Sequence, residues 1–154
     1  MIGHTKIAKE RSLQMAKVSE AARLYISAER VWETIGRFES IDSWHPSVLG
    51  IEMSGSEHQP ERRLELGDPE KLVDRLESHD DAAMSYRYSY RGGPLPLSEM
   101  TAELRVKPDD AASCTIEWSA DLSPDGDTEQ DQAVAELQNF FRRGLEHLRF
   151  TLAG

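Results

Sequence analysis

From Ser47 to Leu122 apolar side chains recur at every second position, whereas in the segments before and after they recur every three to four. A period of two marks strands with one buried face, and a period near 3.6 marks amphipathic helices. Turn-forming residues at Gly55, Gly67-Asp68, Asp80-Asp81, Gly92-Gly93-Pro94 and Pro108-Asp109-Asp110 cut the alternating stretch. The pieces are 47–54, 61–66, 70–78, 83–91, 98–107 and 113–122. A further strand is expected over 20–27, where Leu24 and Ile26 alternate with Arg23 and Tyr25. Links this short leave no room for crossover helices, so the sheet is an antiparallel meander. Two strands alternate cleanly. Met84, Tyr86, Tyr88 and Tyr90 share one face, and Cys114, Ile116, Trp118, Ala120 and Leu122 share another.

The helical period falls in three places. Ser27 reads as an N-cap with Glu29 in the first turn, where the helix dipole favours an anion. Val31, Trp32 and Ile35 form the apolar face behind it, and Gly36 is a stop signal. A second short helix over 38–43 carries Phe38 and Ile41 inward and ends before Pro46, which disfavours helical geometry at His45. A long helix runs from Thr128 to Leu152, with a weak capping box of Thr128 and Asp131. Its stripe is Val134, Leu137, Phe141, Gly144, Leu145, Leu148 and Leu152. The expected class is α+β: seven antiparallel strands curved around one long C-terminal helix, with two short helices between strands 1 and 2. A curved sheet clamped on one helix leaves a gap between them, which is a natural ligand site.

Length changes this picture little, since 154 residues make one domain with a proper core. Residues 1–17 lack sustained apolar anchors and read as a frayed extension or short helix, with residues 1–14 packing weakly and 18–154 forming the domain. The net charge of −10 disfavours nucleic acid and anionic membranes as partners. No apolar run approaches the ~20 residues of a membrane span. One cysteine, Cys114, allows no internal disulfide and reads as core. With no signal-type apolar stretch at the N-terminus, a cytoplasmic location is expected. Monomer and dimer are both open.

Candidate chemistry centres on Trp44-His45-Pro46, where helix gives way to sheet. His45 can fix the junction through a backbone carbonyl, contact a ligand, or act as a base. Of Arg62 and Arg63 only one points inward. Leu64 and Leu66 put Arg62 on their face, and a bulge in the strand would put Arg63 there instead. Asp74 lies between Leu72 and Leu76 and is a candidate buried acid, its pKa raised unless a cation compensates. The candidate cavity cluster is His45, Arg63 and Asp74 or Glu52, lined by Trp44, Tyr86, Tyr88, Trp118, Phe141 and Gly144. A glycine on the helix stripe leaves room for a ligand or for a close side chain such as Trp118. The histidines are scattered, so no metal site is expected. No phosphate loop or nucleophile elbow is present, and no cofactor is implied.

The order of elements, with Val31-Trp32, Phe38, Trp44-His45-Pro46, Glu52, Arg62-Arg63-Leu64, Arg75-Leu76-Glu77, Tyr86, Tyr88, Gly93-Pro94-Leu95-Pro96, Glu117-Trp118 and Gly144-Leu145, resembles the START-like (helix-grip, SRPBCC) superfamily. The most similar branch is the bacterial polyketide cyclase/dehydrase-like family. The resemblance spans residues 19–152 and implies a deep pocket between sheet and C-terminal helix for a lipid, sterol or polyketide-like molecule. Two departures stand out. Ser56-Glu57-His58-Gln59-Pro60 replaces a glycine-rich turn, and Met100 stands where the family often has an aromatic. The leading expectation is a binding protein for a hydrophobic small molecule with one polar end. The alternative is a polyketide cyclase/dehydratase-type enzyme, with His45 as base and Arg63 or a tyrosine polarising a carbonyl. A third expectation is a partner-regulating protein whose ligand alters a surface loop, with Gly92, Gly93, Pro94 and Pro96 as the gate.

Overall fold

The computed structural model describes residues 15–126 and 128–152. Seven strands follow one another as β1 (Ala16–Leu24), β2 (Gly50–Gly55), β3 (Pro60–Glu65), β4 (Leu72–Asp80), β5 (Ser85–Gly92), β6 (Leu97–Asp110) and β7 (Ser113–Pro124). Helix α1 (Ala28–Ile35) and a 3-10 helix (Phe38–Ser43) stand between β1 and β2, and α2 (Gln130–Leu152) closes the chain. All neighbours are antiparallel in a single sheet of order β1-β7-β6-β5-β4-β3-β2. This is the α+β helix-grip arrangement.

Two elements differ from the sequence reading, each for a physical reason. β1 begins at Ala16 rather than residue 20, so residues 16 and 17 belong to the sheet and not to an extension. Its inward residues, Ala16, Val18 and Ala22, are small, which weakens the apolar signal. They are small because α2 packs directly on β1. The weak packing expected of residues 1–14 lies outside the described residues. The second short helix is 3-10, kinked at Ser40 (φ −113°, ψ 15°), as its six residues are too few to sustain an α-helix. The Ser27 cap is as expected, with its hydroxyl accepting from the Arg30 N–H at 3.3 Å.

α2 covers only the β1–β7 side of the sheet, burying Ala133, Leu137, Phe141, Gly144, Leu145 and Leu148. The 3-10 helix covers the β2–β3 side, burying Phe38 and Ile41. The centre of the concave face therefore lies where these two covers meet, and Trp44-His45-Pro46 is the link between them.

Candidate functional site

His45 is 1% exposed, and both its ring nitrogens are engaged. Nε2 lies 2.7 Å from the Phe140 carbonyl of α2, and Nδ1 accepts the Ser47 N–H at 3.1 Å. The first contact needs the proton on Nε2 and the second needs a lone pair on Nδ1, so the neutral Nε2–H tautomer fits. Burial lowers the His45 pKa to about 4; the Phe140 hydrogen bond opposes this, and the charges of Arg62 and Arg143 add to it. The ring stacks on Phe140 at 4.1 Å and meets Trp118 edge-on at 6.0 Å. With its lone pair and its proton both in use, His45 clamps the junction to α2.

Gly144 faces this clamp. A Cβ there would sit 2.7 Å from His45 Cδ2 and 3.1 Å from Trp118 Cζ3. The room left by the glycine is thus taken by side chains. Trp118 stacks on Phe141 at 4.3 Å, lies 5.5 Å from Trp44, and donates its Nε1–H to the Tyr88 hydroxyl at 3.0 Å. Together these residues fill the space beside Gly144.

The polar centre lies beside them, on β3 and β4. β3 runs without a bulge, pairing Arg62 with Asp74 and Arg63 with Val73. Alternation therefore holds: Arg62 is fully buried and Arg63 is exposed. This corrects the placement of Arg63 in the cavity cluster. Glu52 is also outside it, on the surface with Lys71 at 3.0 Å. Arg62 Nε meets Asp74 Oδ2 at 3.2 Å. Its Nη1 donates to the Phe38 carbonyl at 2.7 Å and, more weakly, to the Tyr86 hydroxyl at 3.4 Å. Three rings surround the guanidinium, with centroids at 4.1 Å (Phe38), 4.8 Å (Tyr88) and 5.8 Å (Tyr86). A cation taken out of water is well served by aromatic faces.

The pair is nonetheless incomplete. Arg62 Nη2 and Asp74 Oδ1 are buried without a hydrogen-bond partner, as is Trp44 Nε1. Burial raises the Asp74 pKa to about 6 even though Arg62 pulls it down. Burial also raises the Tyr86 and Tyr88 hydroxyls, so both remain neutral phenols. One buried donor and one buried acceptor are thus left over in this pair. A leftover donor or acceptor in the interior costs about 1–3 kcal/mol each.

A groove of about 280 Å³ opens between Ser47, Leu66, Asp68, Leu95, Phe140 and Arg143. Tyr90, opposite Asp74 in the sheet, holds its rim by donating to the Gly93 carbonyl at 2.9 Å. Gly93 (φ 139°) could not be another residue without strain, and a Cβ there would lie 2.8 Å from Leu72 Cα. Among the described residues, no group of three or more His, Cys, Asp or Glu side chains is placed to hold a metal. Cys114 is buried in the core, as alternation suggested.

Residues 15–153 match the family described as polyketide cyclase / dehydrase and lipid transport. The chain belongs to that family. Among solved structures, the protein XoxI from Bacillus cereus is 25% identical, with a TM-score of 0.82 over 88% of this chain and 94% of that one. A Thermobifida fusca protein is 29% identical, with a TM-score of 0.77 over 88% and 91% of the two chains. The ZhuI aromatase/cyclase of a Streptomyces species shares the fold at 17% identity, with a TM-score of 0.64 over 86% of each chain. No curated protein matches the chain significantly. Within this family-typical frame, alternation had already placed Arg62 beside Leu64. Phe140, which supplies both a carbonyl and a ring to His45, gave no signal in the sequence beyond its place near the helix stripe. No helix among the described residues is long and apolar enough to cross a membrane.

Proposed function

We propose that the protein binds a hydrophobic small molecule whose polar end carries both an oxygen acceptor and a hydroxyl, and that this end meets Arg62 and Asp74. The observation that carries the reading is the buried pair with one unpartnered atom on each member. Arg62 Nη2 donates to a ligand carbonyl or carboxylate oxygen, while Asp74 Oδ1 accepts from a ligand hydroxyl. The apolar body lies towards Leu66, Leu95 and Phe140, entering through the groove they line. Entry requires the Phe140 ring and the segment after Gly92 to move aside, consistent with the two glycines at 92 and 93. Binding is favoured over catalysis because neither nitrogen of His45 is free to take a proton.

The test is native mass spectrometry of the protein purified from its own source, beside the variant Arg62→Met/Asp74→Leu. Replacing a buried pair by apolar side chains of similar volume usually leaves the fold intact. The wild type should carry a co-purifying small molecule that the folded double variant lacks. A double variant that retains the same ligand would remove Arg62 and Asp74 from the site.

A further inference from the structure

A second and larger groove, of about 690 Å³, lies on the same face of the sheet beside the polar centre, between the end of α1 and strands β2 to β4, with Met53 paired opposite Arg62. Its walls are Trp32, Phe38, Met53 and Leu76, and its charged rim is Glu33, Arg37, Glu39 and Asp81. Phe38 is common to both, its ring lying over the Arg62 guanidinium and at the wall of this groove, while neither Arg62 nor Asp74 lines the groove.

The aromatic wall is held in place. Trp32 Nε1–H donates to Asp81 Oδ1 at 2.9 Å, and His79 Nε2 lies 2.7 Å from the Gly36 carbonyl. The Trp32 and His79 rings lie 5.6 Å apart, and His79 stacks on Tyr86 at 6.2 Å. Gly36 makes the Trp32 position available: a Cβ there would fall 2.5 Å from the indole ring. The indole is thereby folded back over the C-terminal end of α1, forming one side of the groove.

Three independent features give the groove a negative character. Three carboxylates stand at the rim against one guanidinium. Among the described residues, no ion pair engages Glu33, Arg37 or Glu39, so neither glutamate is neutralised. The groove lies at the C-terminal end of α1, the negative end of its dipole, and no basic residue lies in the last turn of that helix. Aromatic faces below carboxylates recognise an organic cation. The net charge of −10 favours the same sign of partner over the whole surface.

We infer that this groove is a separate binding site for a small organic cation with an apolar body, of the alkylammonium or quaternary ammonium class. The cationic head lies between Glu33, Glu39 and the Trp32 face, and the apolar body lies along Met53 and Leu76. His79 faces the same groove, with Asp81 at 3.8 Å.

The experiment uses benzyltrimethylammonium as the probe and benzenesulfonate as the control of opposite charge. The readout is the set of three tryptophan indole N–H resonances in a nitrogen–proton correlation spectrum, with Trp32 assigned through Trp32→Phe. The cation should shift the Trp32 resonance saturably and leave Trp44 and Trp118 in place. The substitutions Glu33→Gln and Glu39→Gln, both at exposed positions, should together weaken binding roughly fivefold or more. Three results would each overturn the inference: no saturable shift up to about 10 mM, well beyond a millimolar Kd; an equal response to benzenesulfonate; or undiminished affinity in the Glu33→Gln/Glu39→Gln variant. Because Arg62 and Asp74 are untouched, failure here leaves the reading of the buried pair standing.

Discussion

His45 and the Arg62–Asp74 pair are two places where the interior holds groups that prefer water, and they are finished differently. His45 has both nitrogens satisfied by backbone, and its ring stacks on Phe140 and meets Trp118 edge-on. Arg62 and Asp74 each retain one unpartnered atom. A saturated polar residue is a fastener, because nothing remains for a visitor to bond. An unsaturated pair held at a cost is where we propose that a ligand docks. The contrast shifts attention from the histidine, which looked like the chemical residue, to the ion pair two strands away.

The sharpest way to break the comparison is to remove one member of the pair. Arg62→Ala leaves Asp74 buried without its cation and should lower stability by about 3–5 kcal/mol in urea unfolding. The double change to Met and Leu should lose far less. If the single and double variants are equally unstable, the pair is a packing element and not a charged site.

His45→Ala should come next, with a loss of about 3 kcal/mol, from an emptied ring site and two unpaired backbone groups. Folded His45→Ala should still carry whatever small molecule the wild type carries. Normal stability with lost ligand would reverse the roles assigned to the two regions.

Gly144→Ala should lower stability by about 1–3 kcal/mol, although alanine gains roughly 1 kcal/mol in helix propensity. The added methyl would meet a His45 ring that stacking on Phe140 keeps from yielding. A thermal melt that rises by the full propensity difference would show that the ring does move aside.

Acid should set the two regions against each other. His45 has a folded pKa of about 4 against an ordinary 6.5, so the unfolded chain takes its proton first as pH falls through that window. Stability then declines, by up to about 3 kcal/mol. Asp74 has a folded pKa of about 6 against 3.8, so the folded state takes its proton first and stability rises over nearly the same window. The two slopes oppose. Asp74→Asn should therefore lose stability more steeply than the wild type between pH 6 and pH 4, measured by denaturant midpoints. Parallel curves would mean that Asp74 titrates as it does in the unfolded chain. The smallest effect belongs to Arg63→Ala, within about 0.5 kcal/mol and without change in ligand content, because that side chain lies outside.

Much of the frame was legible because it rests on periodicity. The meander, the turns at Gly55 and Gly92-Gly93, the Ser27 cap and the α2 stripe all follow from spacing alone. β1 was misplaced because Ala16 and Ala22 are small for close approach of α2, and small residues carry little apolar signal. Alternation pointed to Arg62, yet whether a strand bulges depends on its neighbours, which the sequence does not list. Gly144 announced spare room without saying who fills it, since that depends on Trp118 and His45 arriving from other elements. The groove at Trp32 left no trace in the sequence because α1 and three strands each contribute only fragments of it.

The sheet order has a consequence for how the chain is made. Every strand pair but one joins neighbours in sequence, while β1 pairs with β7, so that Leu24 waits for Cys114. During synthesis β1 emerges early and its partner late, with α2, which also packs on β1, later still. Through that interval β1 has an unpaired edge and an unburied face, and pairing over such a separation is slow. Its polar outer residues Lys17, Ser19 and Arg23, and the short side chains opposite them, give a waiting strand little for a neighbouring nascent chain to grip.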